Sequence, residues 1–203
     1  MAPPRRGPSS LQQHLLLLGR FLRHPQTVGA IAPSSAVLAR AVIKDVNFRD
    51  AVRIVELGPG TGSFTRAILE RIGPLARFIA IELDPAFVEQ VRRQWPTIEC
   101  VNASAETLSS IAREREIVPI DHVISGLPFA SLPVQMTQQI LDGIRDTLRP
   151  GGTFTTFQYV HAYRLSPARI FRRTATAHFG APPARRVVWR NLPPAFVLSW
   201  KKK

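Results

Sequence analysis

The chain has 203 residues, 45% of them hydrophobic, a single cysteine and a formal net charge of +13 at pH 7. That length and composition suit one packed globular domain rather than two. Cys100 has no partner for an internal disulfide, and the lack of any CxxC or HExxH spacing argues against a metal site.

The charge is unevenly spread. Residues 1–50 hold seven Arg/Lys and two acids, residues 51–148 nine and twelve, and residues 149–203 eleven and none. A central block of ordinary charge is thus flanked by two basic arms, whose field favours a polyanion: RNA, DNA or an anionic membrane surface.

SSLQQHLLLLGRFLRHP (9–25) comes first. Ser9 or Ser10 suits an N-cap, and Leu11, Leu15, Leu18 and Leu22 then share one helical face. The segment is too short, and too interrupted by Arg20 and Arg23, to cross a bilayer, and no small-residue cleavage pattern follows it. The pattern fits equally a helix lying in a membrane interface and one packed on its own domain. Residues 1–50 are read as this amphipathic helix and a helical lead-in, and 51–203 as the main domain.

From residue 51 onward strand and helix alternate. VRIVELG (52–58) is a β-branched run ending in glycine, and SFTRAILERIG (63–73) has helical spacing. ARFIAIEL (76–83) is a second strand, and Asp84-Pro85 opens a helix whose stripe is Phe87, Val88, Val91 and Trp95. TIECVNA (97–103) is a third strand with Cys100 as a buried residue, followed by a helix over 104–116. DHVISGL (121–127) is a fourth strand, and a helix over 133–149 points Ile140, Leu141, Ile144 and Leu148 inward. TFTTFQYV (153–160) is a fifth. RRVVWR (185–190) and AFVLSW (195–200) are two final strands joined through NLPP, the last of them a candidate antiparallel strand. The expected fold is α/β, a doubly wound, mostly parallel seven-stranded sheet.

The chemistry concentrates in VELGPGTGSFT (55–65). Gly58, Gly60 and Gly62 follow the first strand, where open α/β sheets bind ligands and the backbone must turn tightly. Their G-x-G-x-G spacing is not that of a dinucleotide binder. Glu56 suits a ligand with a positively charged amino-acid end, and Glu82, closing the second strand, suits the two hydroxyls of a ribose.

VELGPGTG, IELDP, NASAE, SGLPF and LRPGGTF, spanning about residues 50–160, resemble the motifs of class I S-adenosylmethionine-dependent methyltransferases. The resemblance implies that the turn 58–62 cradles the methionine end of S-adenosylmethionine and that Glu82 holds its ribose. Ser104, Ala105 or Glu106 would then edge the adenine, although Ser104 and Glu106 suit a helix cap equally well. Adenine N6-methyltransferases grip the base with Asn-x-Pro-Tyr/Phe. Here Ser125 stands in the first place, at the cofactor and beside the reacting nitrogen, with Gly126, Leu127, Pro128 and Phe129 on the acceptor side. That mouth lacks the polarising amide and suits an alkyl amine, with Tyr159, His161 and Tyr163 as candidate proton acceptors.

SGLPF, HPQTVGAIAPSS (24–35) and WRNLPPA (189–195) together resemble bacterial phospholipid N-methyltransferases, which convert phosphatidylethanolamine to phosphatidylcholine. That resemblance implies a peripheral enzyme on the inner face of the cytoplasmic membrane, drawn to anionic lipid at about 1 kcal/mol per surface Lys/Arg. Arg190, Asn191 or the Arg164–Arg173 cluster would hold the lipid phosphate, while WRNLPPA serves equally as a tight link between edge strands. The alternatives are an rRNA adenine N6-dimethyltransferase, against which the absent amide and the short stretch after the fifth strand count, and a non-catalytic basic adaptor.

Overall fold

The computed structural model describes residues 35–50 and 53–203, which fall in one compact unit. The amphipathic helix read over 9–25 lies outside the described residues. Helix α1 (Ala36–Val42) is capped by the Ser35 hydroxyl, which accepts from the Leu38 amide at 3.2 Å. Then come β1 (Arg53–Leu57), α2 (Ser63–Leu69), β2 (Arg77–Glu82), α3 (Pro85–Gln94) and β3 (Glu99–Asn102). The second half runs α4 (Leu108–Glu114), β4 (Ile120–Ser125), α5 (Val134–Thr147), β5 (Leu148–Tyr159), α6 (Ser166–Phe179), β6 (Ala184–Val188) and β7 (Ala195–Lys201).

The seven strands form one sheet in the order β3-β2-β1-β4-β5-β7-β6. Strands β1 to β5 are mutually parallel, and β7 runs antiparallel to both β5 and β6. All six residues of β4 are buried, as a central strand covered by helices on both faces requires. Strand order reverses between β1 and β4, so a crevice opens outside their carboxyl ends. On one face an aromatic stack fills the core. Phe129 lies parallel to Phe171 at 4.5 Å between ring centroids, and Phe154 stacks on Trp200 at 5.6 Å.

Asp84 caps α3 as expected, its carboxylate accepting from the Ala86 amide at 2.9 Å. Three readings need correction, and one helix went unread. Helix α2 stops at Leu69 rather than Gly73. Strand β5 begins at Leu148, so the RPGG segment read as a helix end belongs to the strand. Strand β6 stops at Val188, which releases Trp189 and Arg190 into the turn. Helix α6, unread in a stretch taken only for its arginines, starts with Pro in its first turn and ends at Gly180 in the left-handed region. Its buried face is Ala168, Phe171, Ala175 and Phe179, a stripe half made of small residues.

The carboxyl edge is closed by backbone meeting backbone. The Gly126 amide donates to the Leu57 carbonyl and the Gly58 amide to the Ile81 carbonyl, each at 2.9 Å. A Cβ on Gly126 would stand 2.6 Å from the Gly58 carbonyl oxygen. We therefore expect Gly126→Ala to cost about 1–3 kcal/mol in urea unfolding, as overpacking against rigid backbone does. Gly73→Ala, where a Cβ meets nothing within 4 Å, should stay within roughly 0.5 kcal/mol of the parent.

Candidate active site at the carboxyl edge of the sheet

The turn after β1 carries Gly58, Gly60 and Gly62 at φ of 69°, 54° and 82°. Two of these glycines are packed from outside. A Cβ on Gly58 would lie 2.7 Å from Leu127 Cδ2, and one on Gly62 would lie 2.3 Å from the Trp95 ring. Gly60 differs, since a Cβ there would meet nothing within 4 Å. The middle of the turn therefore faces open space, held in shape by its neighbours.

Two buried carboxylates stand behind that opening. Glu82 Oε2 accepts from the Gly60 amide at 3.0 Å, and its Oε1 accepts from the amides of Leu83 at 2.7 Å and Asp84 at 3.0 Å. Glu56 is wholly buried; Oε2 accepts from the Thr65 hydroxyl at 2.7 Å, and Oε1 has no partner among the described residues. Burial pushes the Glu56 carboxyl up to about 8, with a smaller push from the Glu82 charge. Burial also raises Glu82, against the pull of the three amides. An acceptor atom left bare in the core is costly unless a ligand meets it. The donor set thus fits a ligand with a cationic end for Glu56 and an open surface above Gly60.

At the end of β3 the Asn102 side chain donates to the carbonyls of Glu82 and Leu83 at 3.1 and 3.0 Å. Ser104 caps the short turn Ala105–Thr107, its hydroxyl donating to Glu106 Oε2 at 2.8 Å. Ser104, Ala105 and Glu106 all remain partly accessible beside Glu82's strand. Cys100 is buried on β3, where burial drives its thiol up to about 11.

The SGLPF turn alternates in and out. Ser125, Leu127 and Phe129 are buried, while Gly126 and Pro128 are partly accessible. The Ser125 hydroxyl donates to the Leu57 carbonyl at 3.4 Å and accepts from the Leu127 amide at 3.2 Å, so both its bonds go to backbone. The Thr156 hydroxyl fixes the Ser125 carbonyl from β5 at 3.1 Å. The Phe129 ring packs into the aromatic core, between Phe171 and Phe154.

Tyr159 closes β5 on the same edge, with His161 stacked on it at 5.7 Å between ring centroids. Burial pushes the Tyr159 phenol up to about 12. Tyr163 lies under Arg172, whose guanidinium carbon is 3.6 Å from the ring centroid and whose Nη1 also donates to Gln158 Oε1 at 2.7 Å. Asn191, expected at a lipid phosphate, is 3% exposed; it accepts from the Ser35 hydroxyl and donates to the Pro193 carbonyl. Arg190 beside it is exposed. Sequence reading missed Thr65, Asn102 and Thr156, which share one signal: a short polar side chain beside a motif position.

Residues 54–152 match the family model described as a methyltransferase domain. An ornithine lipid N-methyltransferase of Singulisphaera acidiphila is 31% identical over 189 residues, covering 91% of this chain and 94% of that protein. A dimethyladenosine transferase of Chaetomium thermophilum is also 31% identical, but over 47% of this chain and 23% of its own length. Among solved structures, a precorrin-6y C5,15-methyltransferase from Geobacter metallireducens superposes with a TM-score of 0.61 at 16% identity, over 82% of this chain and 88% of that one.

The buried acid sets a pH test. Because the folded-state pKa of Glu56 lies above the ordinary 4.5, keeping it neutral adds stability in full below about pH 4.5, and that contribution is lost as pH rises through about 8. In urea unfolding of the free protein, Glu56→Gln should flatten the decline between about pH 5 and pH 9. An unchanged slope would show that Glu56 titrates normally. With the turn, the two carboxylates and the full-length relative in agreement, the chain belongs to the class I S-adenosylmethionine-dependent methyltransferases and takes S-adenosylmethionine as its methyl donor.

Proposed function

We propose that this chain methylates the primary amine of a membrane aminolipid. The preferred acceptor is phosphatidylethanolamine, carried through mono- and dimethyl products to phosphatidylcholine. The observation that carries the reading is the inward-turned mouth. With the Ser125 hydroxyl bonded to backbone and the Phe129 ring in the core, the turn offers a planar base neither an amide nor an aromatic face. An alkyl amine needs neither. The relative matched along nearly its whole length is named for N-methylation of ornithine lipid, and an ornithine side chain likewise ends in a primary alkyl amine. Phosphatidylethanolamine and ornithine lipid thus share the reacting group, and the choice between them is the finer part of the proposal.

When bound, the donor supplies an electrophilic methyl group on a sulfonium, which an uncharged nitrogen attacks in line. The chain's residues arrange that approach. Glu56 would hold the donor's ammonium with the oxygen that lacks a partner among the described residues, and Glu82 and the Ser104–Glu106 turn would hold its ribose and adenine. Gly126 and Pro128 are the accessible positions of the mouth. An amine of pKa roughly 10 must lose a proton, at about 4 kcal/mol at pH 7. Tyr159, held protonated by its raised pKa, does not take that proton; its oxygen accepts a hydrogen bond and orients the nitrogen. His161, exposed and stacked on the Tyr159 ring, is the group of this set placed to pass that proton on to water.

The same reading makes the enzyme peripheral to the inner face of the cytoplasmic membrane. Among the described residues, no helix is long and apolar enough to cross a membrane. The test incubates purified protein and labelled S-adenosylmethionine with phosphatidylethanolamine vesicles, dispersed ornithine lipid or total rRNA. We expect label in the organic phase as mono-, di- and trimethylated phosphatidylethanolamine. Label in ornithine lipid alone would keep the aminolipid reading and change the acceptor. Label in adenine of rRNA would replace it, and donor binding with no product would favour an adaptor. Tyr159→Phe should lower kcat about tenfold and leave donor affinity unchanged.

A further inference from the structure

Among the described residues seven large hydrophobic side chains are exposed, and they are unevenly placed. Leu165 (58%), Trp189 (69%) and Leu192 (85%) stand in the β5–α6 and β6–β7 connections, and Val134 (53%) opens the helix after the SGLPF turn. All four residues lie at the carboxyl edge, which is the edge of the active-site mouth. Leu75, before β2, is at the opposite edge.

The β6–β7 turn is held firmly at that edge. Ala195, which follows it, pairs with Tyr159, and the Pro194 carbonyl accepts from the Val160 amide at 2.9 Å. Within the turn, buried Asn191 is bonded to the Ser35 hydroxyl and the Pro193 carbonyl. Trp189 and Leu192 therefore flank a fixed polar anchor and remain uncovered. Arg190 and Arg164, both exposed, adjoin Trp189 and Leu165, and residues 149–203 contain no acid. Projecting indole and leucine beside exposed arginines form the composition of a membrane-interface contact, apolar atoms entering the headgroup layer while cations meet anionic lipid.

We propose that the β6–β7 turn, through Trp189 and Leu192, with Leu165 at the same edge, seats the mouth on an anionic bilayer. This rests on the aminolipid reading and adds how the acceptor is reached: the headgroup amine meets Tyr159 and His161 without its lipid leaving the membrane. Phosphate at the turn is met by Arg190; Asn191 holds the turn's shape.

The experiment uses the full chain and vesicles of phosphatidylglycerol with phosphatidylethanolamine. The parent's tryptophan emission should shift to the blue on adding vesicles, and Trp189→Phe should abolish that shift. Trp189→Ser with Leu192→Ser should lower vesicle affinity at least about tenfold, with thermal unfolding and S-adenosylmethionine binding unchanged. Methyl transfer to vesicle lipid should fall by a similar factor, while transfer to a short-chain, water-soluble aminolipid should not. Vesicle affinity unchanged in the folded double variant would overturn the proposal. So would a shift that survives Trp189→Phe, or a double variant that loses self-association instead of vesicle binding. If vesicle binding requires the two residues but no lipid is methylated, the docking surface stands and the acceptor reading fails. Methylated lipid with unaffected docking overturns the docking surface alone.

Discussion

The site depends on two turns lying closer together than side chains allow. The Gly126 amide reaches the Leu57 carbonyl, and the Gly58 carbonyl occupies the space where a Cβ of residue 126 would be. This contact joins the carboxyl ends of β1 and β4 at the place where the strand order reverses. It also presses Leu127 onto Gly58 and fixes the wall of the donor crevice. Trp95 supports the other end of the same turn at Gly62, leaving the middle open. Rigid contacts at both ends and free space at Gly60 give the turn a shape that does not rely on the ligand.

Charge is handled as tightly as shape. Glu82 accepts three backbone amides and so tolerates burial, whereas Glu56 is met by Thr65 and keeps one oxygen without a partner among the described residues. Burial raises the proton affinity of both carboxylates, and the Glu82 charge adds a smaller push on Glu56. A cationic ligand reverses that tendency, so the free site is poised between a proton and an ammonium.

Much of this was legible in the sequence. The five β-branched runs, the Asp84-Pro85 start and the glycine spacing gave the parallel sheet and located its crevice, because each depends on neighbours a few residues away. What stayed hidden depends on distant ones. Asn191 reads as a ligand-binding amide until Ser35, 156 positions earlier, is found against it. Phe129 satisfies the pattern of a base-stacking ring, and only α6 packing over it shows the ring to be core. Helix α6 was obscured by its arginines, since its inner face relies on Ala168 and Ala175 as much as on its two phenylalanines.

The alternation of SGLPF carries an implication for how such enzymes diversify. Since Ser125, Leu127 and Phe129 are all committed to the interior, changes there would damage donor capture before they altered taste for an acceptor. New acceptors can be won instead from the antiparallel flank, where the loops after β5 and β6 border the opening without supporting its floor. Divergent substrates on one preserved donor cradle are what that division of labour would produce.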